Sequence, residues 1–145
     1  MAVVQTSYSD TPPAGFAGMV AESEPSTRIS RSVEDGAGIA FGKAAFRGSG
    51  PRGCTATPAA NAFLGFVAAD SAGSADVVAQ HGSAAILTKG VIFVTTGEAV
   101  TAGAPVYVTS GGGIVDTASS NTAAPGWVFD TAAANGALVR IANRS

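Results

Sequence analysis

No stretch of this chain carries an apolar stripe at helical spacing long enough to demand a helix. Apolar residues gather instead in runs of four to eight, rich in Val, Ile, Phe and Thr and bounded by glycine. The runs are Gly38–Phe46, Phe63–Ala69, Ser83–Thr88, Val91–Thr95, Pro105–Thr109, Gly113–Asp116, Gly126–Asp130 and Ala137–Ala142. Lys89–Gly90, Ser110–Gly112 and Asn135–Gly136 stand where turns are expected, the last being a strong turn dipeptide. The pattern predicts an all-β fold, a small β-barrel or sandwich, since alternation along strands is the same in both. Trp127, Phe129, Phe93, Tyr107, Ile92 and Val139 are its expected core.

The first 32 residues read differently. Pro12–Pro13, Gly15, Gly18 and Pro25 forbid a long helix, and Glu22, Glu24, Arg28 and Arg31 interrupt the short apolar pieces. Residues 1–32 are expected to be an extended N-terminal arm with one or two short strands, and residues 33–145 the β domain.

Composition narrows the function. Charged residues make up 12% of the 145, against about 25% in an average soluble protein. The net charge is −2, whereas a nucleic-acid binder is basic, so no nucleic-acid partner is expected. Cys54 is the sole cysteine, which leaves no disulfide framework, and no apolar run is long enough for a membrane-spanning helix. The first ten residues hold no secretory signal, so synthesis in a cytoplasm is expected.

The inventory for catalysis is thin. His81 is the only histidine and lies in a polar, loop-like context; Cys54 reads as a small packed residue. Together they are too few for a structural zinc site, and neither metal nor cofactor is expected. Glu34 and Asp35 are adjacent, so on a strand they point to opposite faces and do not converge. Gly48 to Thr55 has the spacing of a phosphate-binding loop, but Cys54 replaces its lysine and Pro51 removes an N–H, so it reads as a surface loop. No enzymatic activity is expected.

There is one internal echo. Gly42-Lys43-Ala44-Ala45 and Gly97-Glu98-Ala99-Val100 are each followed by glycine and then proline, at Gly50–Pro51 and Gly103-Ala104-Pro105. Two similar lobes would read this way. With only two short units in a chain rich in Gly and Ala, the similarity is attributed to chance.

Taken in order, Gly18-Met19-Val20, Ser30-Arg31-Ser32, Gly38-Ile39-Ala40-Phe41-Gly42-Lys43-Ala44, Lys89-Gly90-Val91-Ile92-Phe93-Val94, Gly103-Ala104-Pro105-Val106-Tyr107-Val108, Gly126-Trp127-Val128-Phe129 and Leu138-Val139-Arg140-Ile141 make a longer pattern. It resembles the structural cement (head decoration) proteins of tailed bacteriophages along nearly the whole chain. The resemblance rests on strand and turn motifs, not on reactive residues.

The resemblance implies a non-enzymatic virion protein on the outer surface of the expanded head. There it would bind the major capsid protein at capsomer junctions and hold the shell against the pressure of packaged DNA. It also implies self-association, as a homotrimer or a homodimer, after synthesis in the host cytoplasm. Two regions are expected to make the capsid and protomer contacts. The arm offers Val3, Val4, Tyr8, Phe16, Met19 and Val20 as apolar anchors, with Arg28 and Arg31 as charge partners; the loop Arg47 to Thr55 offers Arg47 and Arg52. The alternatives are another phage virion component or a carbohydrate-type ligand-binding β-barrel. The latter is poorly served by three candidate stacking aromatics outside the phenylalanines, Trp127, Tyr8 and Tyr107.

Overall fold

A computed structural model describes residues 17–20, 26–69 and 77–144. Strands and the connections between them make up these residues, with no helix among them. In chain order the strands are β1 (Thr27–Val33), β2 (Ile39–Ala40), β3 (Ala44–Arg47), β4 (Gly53–Thr55), β5 (Phe63–Val67) and β6 (Val77–Val78). They continue as β7 (Ser83–Thr95), β8 (Pro105–Val108), β9 (Ile114–Val115), β10 (Thr122–Phe129) and β11 (Leu138–Asn143).

Nine strands form one sheet in the order β1-β4-β3-β5-β7-β11-β10-β8-β9. Because β1 also pairs with β7, the strands β1, β4, β3, β5 and β7 close on themselves. The fold is therefore all-β with a closed barrel, which decides between the two architectures left open by periodicity.

β7 is 13 residues long and serves both ends of the molecule. Its register with β1 runs from Ser83 to Lys89, and its register with β11 from Gly90 to Thr95. Lys89–Gly90 is thus not a turn, contrary to the sequence expectation. Gly90 adopts φ +130°, and a Cβ there would come within 3.0 Å of the Ser26 Cβ. The glycine redirects the strand from one lobe into the next without reversing it.

The two lobes share one plan. In the first, β1 runs parallel to β4, β4 pairs with β3, β3 with β5, β5 with β7 and β7 with β1. In the second, the end of β7 meets β9 through a parallel bridge at Thr96 and Ile114; β9 pairs with β8, β8 with β10, β10 with β11 and β11 with β7. Hydrogen bonds repeat with the pairing. Glu34 N donates to Cys54 O at 2.9 Å, and Gly97 N to Ile114 O at 2.9 Å. Val67 N donates to Lys43 O at 2.9 Å, and Phe129 N to Ala104 O at 2.9 Å. Even the small β2–β6 pair, Ile39 with Val78, has a counterpart in the bridge of Val100 with Ala133. The molecule therefore carries a real structural repeat, but the echo read in the sequence is out of register with it, since Gly42 corresponds to Gly103 and Gly97 to Glu34.

A shared core joins the lobes. It packs Phe46, Phe66 and Leu87 of the first against Ile92, Val106, Trp127, Phe129, Val139 and Ile141 of the second. Edge-to-face contacts run from Phe46 to Phe63, Phe63 to Phe66 and Phe66 to Trp127, with centroids 5.6, 5.4 and 4.9 Å apart. A second cluster, including Val33, Ile39, Phe41, Cys54, Val67 and Ile86, belongs to the first lobe. Tyr107 departs from expectation. On β8 the alternation turns Val106 and Val108 inward and leaves Tyr107 only half-buried.

Candidate functional site

The acidic pair after β1 organises the surface beside it. Glu34 reaches across to the β3–β4 hairpin, where its carboxylate accepts hydrogen bonds from Ser49 N (2.9 Å), Ser49 Oγ (3.1 Å) and Gly50 N (3.0 Å). These bonds favour the charged form; the Gly50 N–H is the largest influence, and the Glu34 pKa lies below the ordinary carboxylate value. The side chain fits because a Cβ at Gly53 or at Gly48 would overlap the carboxylate. Asp35 turns elsewhere, accepting from Thr55 Oγ1 at 2.6 Å and from Ala56 N at 2.8 Å. The two carboxylates diverge, as their adjacency implied.

The hairpin so held sets Arg52 against β1. Arg52 O accepts from Ser32 N at 2.8 Å. Its guanidinium Nη2 donates to Ser30 O at 3.4 Å, and Arg31 Nη1 donates to the same oxygen at 2.9 Å. Ser30, Arg31, Ser32, Arg52, His81 and Ser83 line a shallow cleft of about 240 Å³. His81 is exposed, with φ +69°, and its backbone N–H donates to Val33 O at 2.8 Å. Neither arginine has a carboxylate within salt-bridge distance among the described residues. The cleft thus concentrates two guanidiniums, an imidazole and hydroxyls, which suits an anionic group.

Two other clefts are less distinctive. One of about 310 Å³ lies between the lobes, lined by Asn61, Phe63, Asn121, Thr122 and Pro125 among others, with no titratable side chain. Another of about 330 Å³ contains Lys43 and the Ser110–Gly112 loop. Among the described residues no three His, Cys, Asp or Glu side chains are grouped to hold a metal ion.

Sequence and fold comparisons bear on what such a surface meets. The sequence matches the family model of the structural cement protein (E217 gp24/Pam3 gp6) over residues 4–143. The chain belongs to the structural cement protein family. A chain of the capsid of Myoviridae phage XM1 has the same fold, with a TM-score of 0.73 and 17% identity, covering 98% of this chain and 95% of that one. No curated protein matches the sequence. Family membership gives the chain a capsid cement or decoration role, as a structural component associated with capsid proteins of the virion.

The contact residues expected for such a cement protein are distributed unevenly. Val3, Val4, Tyr8 and Phe16 lie outside the described residues. Met19 and Val20 meet the chain's own second lobe: Val20 bridges to Ile92, Phe93 N donates to Met19 O at 2.9 Å, and Gly18 N donates to Phe93 O at 2.8 Å. Gly18 sits so close to the first lobe that a Cβ on it would come within 2.6 Å of the Phe41 Cβ. Arg28 and Arg31 lie on β1, a strand of the closed barrel within the stretch that the sequence reading gives to the arm. Arg47 is exposed at the end of β3 and does not line the cleft. Only Arg31 and Arg52 are brought together. Sequence reasoning missed the clamp by Glu34 and the approach of His81, because both depend on pairings across 15 or more residues that no local motif announces.

Proposed function

We propose that this protein binds the outer surface of the expanded phage head at capsomer junctions and strengthens the shell against internal DNA pressure, without catalysis. The observation that carries the reading is the family match along residues 4–143, joined to a likeness of fold spanning a capsid chain. The proposed partners are the major capsid protein and further copies of this chain, as a homotrimer or homodimer, after synthesis in the host cytoplasm. Residues ahead of β1 act as the arm, with Val3, Val4, Tyr8 and Phe16 as apolar anchors. Arg28, Arg31, Arg47 and Arg52 supply the charge, and one oligomer touching several subunits gains affinity through effective concentration. A sugar-binding reading finds no support at Trp127, which is only 2% exposed.

Co-sedimentation with undecorated, expanded heads tests the reading. Saturation at a fixed copy number matching icosahedral positions, together with greater resistance of the heads to heat or osmotic shock, is the expected result. Failure of the folded protein to bind expanded heads overturns it.

A further inference from the structure

The two lobes treat one equivalent backbone edge differently. In antiparallel pairing, residues whose N–H and C=O do not face one neighbour face the other. Ser30 lies opposite Ala85 on β7, but Ala85 O is taken by Ala68 N from the β5 side at 2.8 Å. Ser30 therefore turns its N–H and C=O away from β7. On that side β4 covers only Ser32 and Val33. The position equivalent to Ser30 in the second lobe is Phe93, opposite Arg140 on β11. There the edge is filled: Phe93 N and O both bond to the Gly18–Met19 backbone of the same chain. At Ser30 no backbone group among the described residues does the same, and the carbonyl is met instead by the two guanidiniums.

The side chains around the edge differ as the backbone does. Where the second lobe has Val94, Gly112 and Gly136, the first has Arg31, Arg52 and His81. His81 keeps the positive φ of its counterpart, +69° against +78° for Gly136, a conformation costly for a residue with a side chain. We propose that the β1 edge at Arg28–Ser30 accepts an extended, acidic segment of the major capsid protein as an added strand. Its backbone pairs with Ser30 as Gly18–Met19 pairs with Phe93, and its carboxylate draws Arg31 and Arg52 off the Ser30 carbonyl into paired hydrogen bonds. The chemistry disfavours the start of a second copy of this chain, since residues 1–16 contain one carboxylate, Asp10. This inference rests on the capsid-binding reading above.

The test uses the full-length protein and expanded heads. Ser30→Pro removes the outward N–H while leaving the bonds to β7 intact, and Arg31→Glu combined with Arg52→Glu reverses the charge. Both are expected to fold, by circular dichroism and Trp127 emission, and to bind heads at least about tenfold more weakly than wild type. A photoreactive amino acid at position 83, in the cleft, should cross-link to an acidic segment of the capsid protein, which also covers the case in which Ser30→Pro does not fold. Undiminished head binding by the charge-reversed protein overturns the proposal, as does a cross-link to a second copy or none to the capsid protein. Loss of head binding by the wild type itself would instead refute the capsid reading.

Discussion

Gly42 and Gly103 occupy the same place in the two lobes. Each adopts a positive φ, +82° and +85°, and each donates its N–H to a strand's last residue, Gly42 to Val67 O of β5 at 2.8 Å and Gly103 to Phe129 O of β10 at 2.7 Å. Their surroundings differ. A Cβ at Gly42 would come within 2.9 Å of Gly18 N and 3.1 Å of the Ala17 Cβ, whereas one at Gly103 would meet nothing within 4 Å. Gly103→Ala should cost about 1–2 kcal/mol, the left-handed penalty alone. Gly42→Ala should cost at least about 1 kcal/mol more, because backbone must move. Urea denaturation of the two variants decides it; equal losses would mean that residues 17–18 yield freely.

Trp127 is the joint of the shared core, edge-to-face with Phe66 at 4.9 Å. Trp127→Ala should destabilise by about 3–5 kcal/mol, and Phe66→Ala by a similar amount. The double variant should lose less than the sum, since each single change already removes the contact. Denaturation midpoints across the four proteins measure the coupling; strict additivity would show that the two rings act independently.

The Glu34 clamp makes stability depend on acidity. Its ordinary value is 4.5, and the hairpin N–H groups hold the folded value lower. The folded state therefore binds fewer protons than the unfolded one, and the stabilisation is fully present above the ordinary value. It is lost as the pH falls below about 4.5 and through the lowered folded value. Glu34→Gln should be less stable than wild type at neutral pH and should flatten this part of the profile. Parallel wild-type and variant curves from pH 6 to pH 3 would rule the clamp out.

Cys54 is fully buried on β4. Burial pushes its thiol pKa up, reinforced by Asp35 and Glu34 and opposed by Arg31. A thiol reagent at neutral pH should not modify the native protein. Reactivity should appear with denaturant along the same curve as the Trp127 emission change. Rapid labelling of the native state would contradict the burial.

The strands were legible where apolar residues are dense, as in the continuous run Val91–Val94 and the partly alternating Leu138–Asn143, and the core role of Trp127, Phe129, Ile92 and Val139 follows from the same signal. β1 was harder to see. In Thr-Arg-Ile-Ser-Arg-Ser-Val only Ile29 and Val33 are apolar, because Arg31 takes a position that the repeat fills with Val94 in the second lobe. Gly90 misled for a related reason: a glycine after a lysine looks the same in sequence whether it reverses a chain or redirects it. The echo read in the sequence did not capture the repeat, because the repeat lives in hydrogen bonds and positive φ angles. Of those positions only the glycines leave a mark in sequence, and His81, Asn61 and Ser120 show that other residues can hold them. Of the candidate surface, the arginines were legible as charges, but their meeting at Ser30 required the hairpin to be folded.

β7 also has a mechanical consequence. A single covalent strand carries six residues paired to β1 and six to β11. A pull that separates the lobes along its axis meets backbone hydrogen bonds loaded side by side in shear, not opened one after another. Tension applied to one lobe therefore passes straight into the other, and the joint between them resists stretching as a continuous tie would.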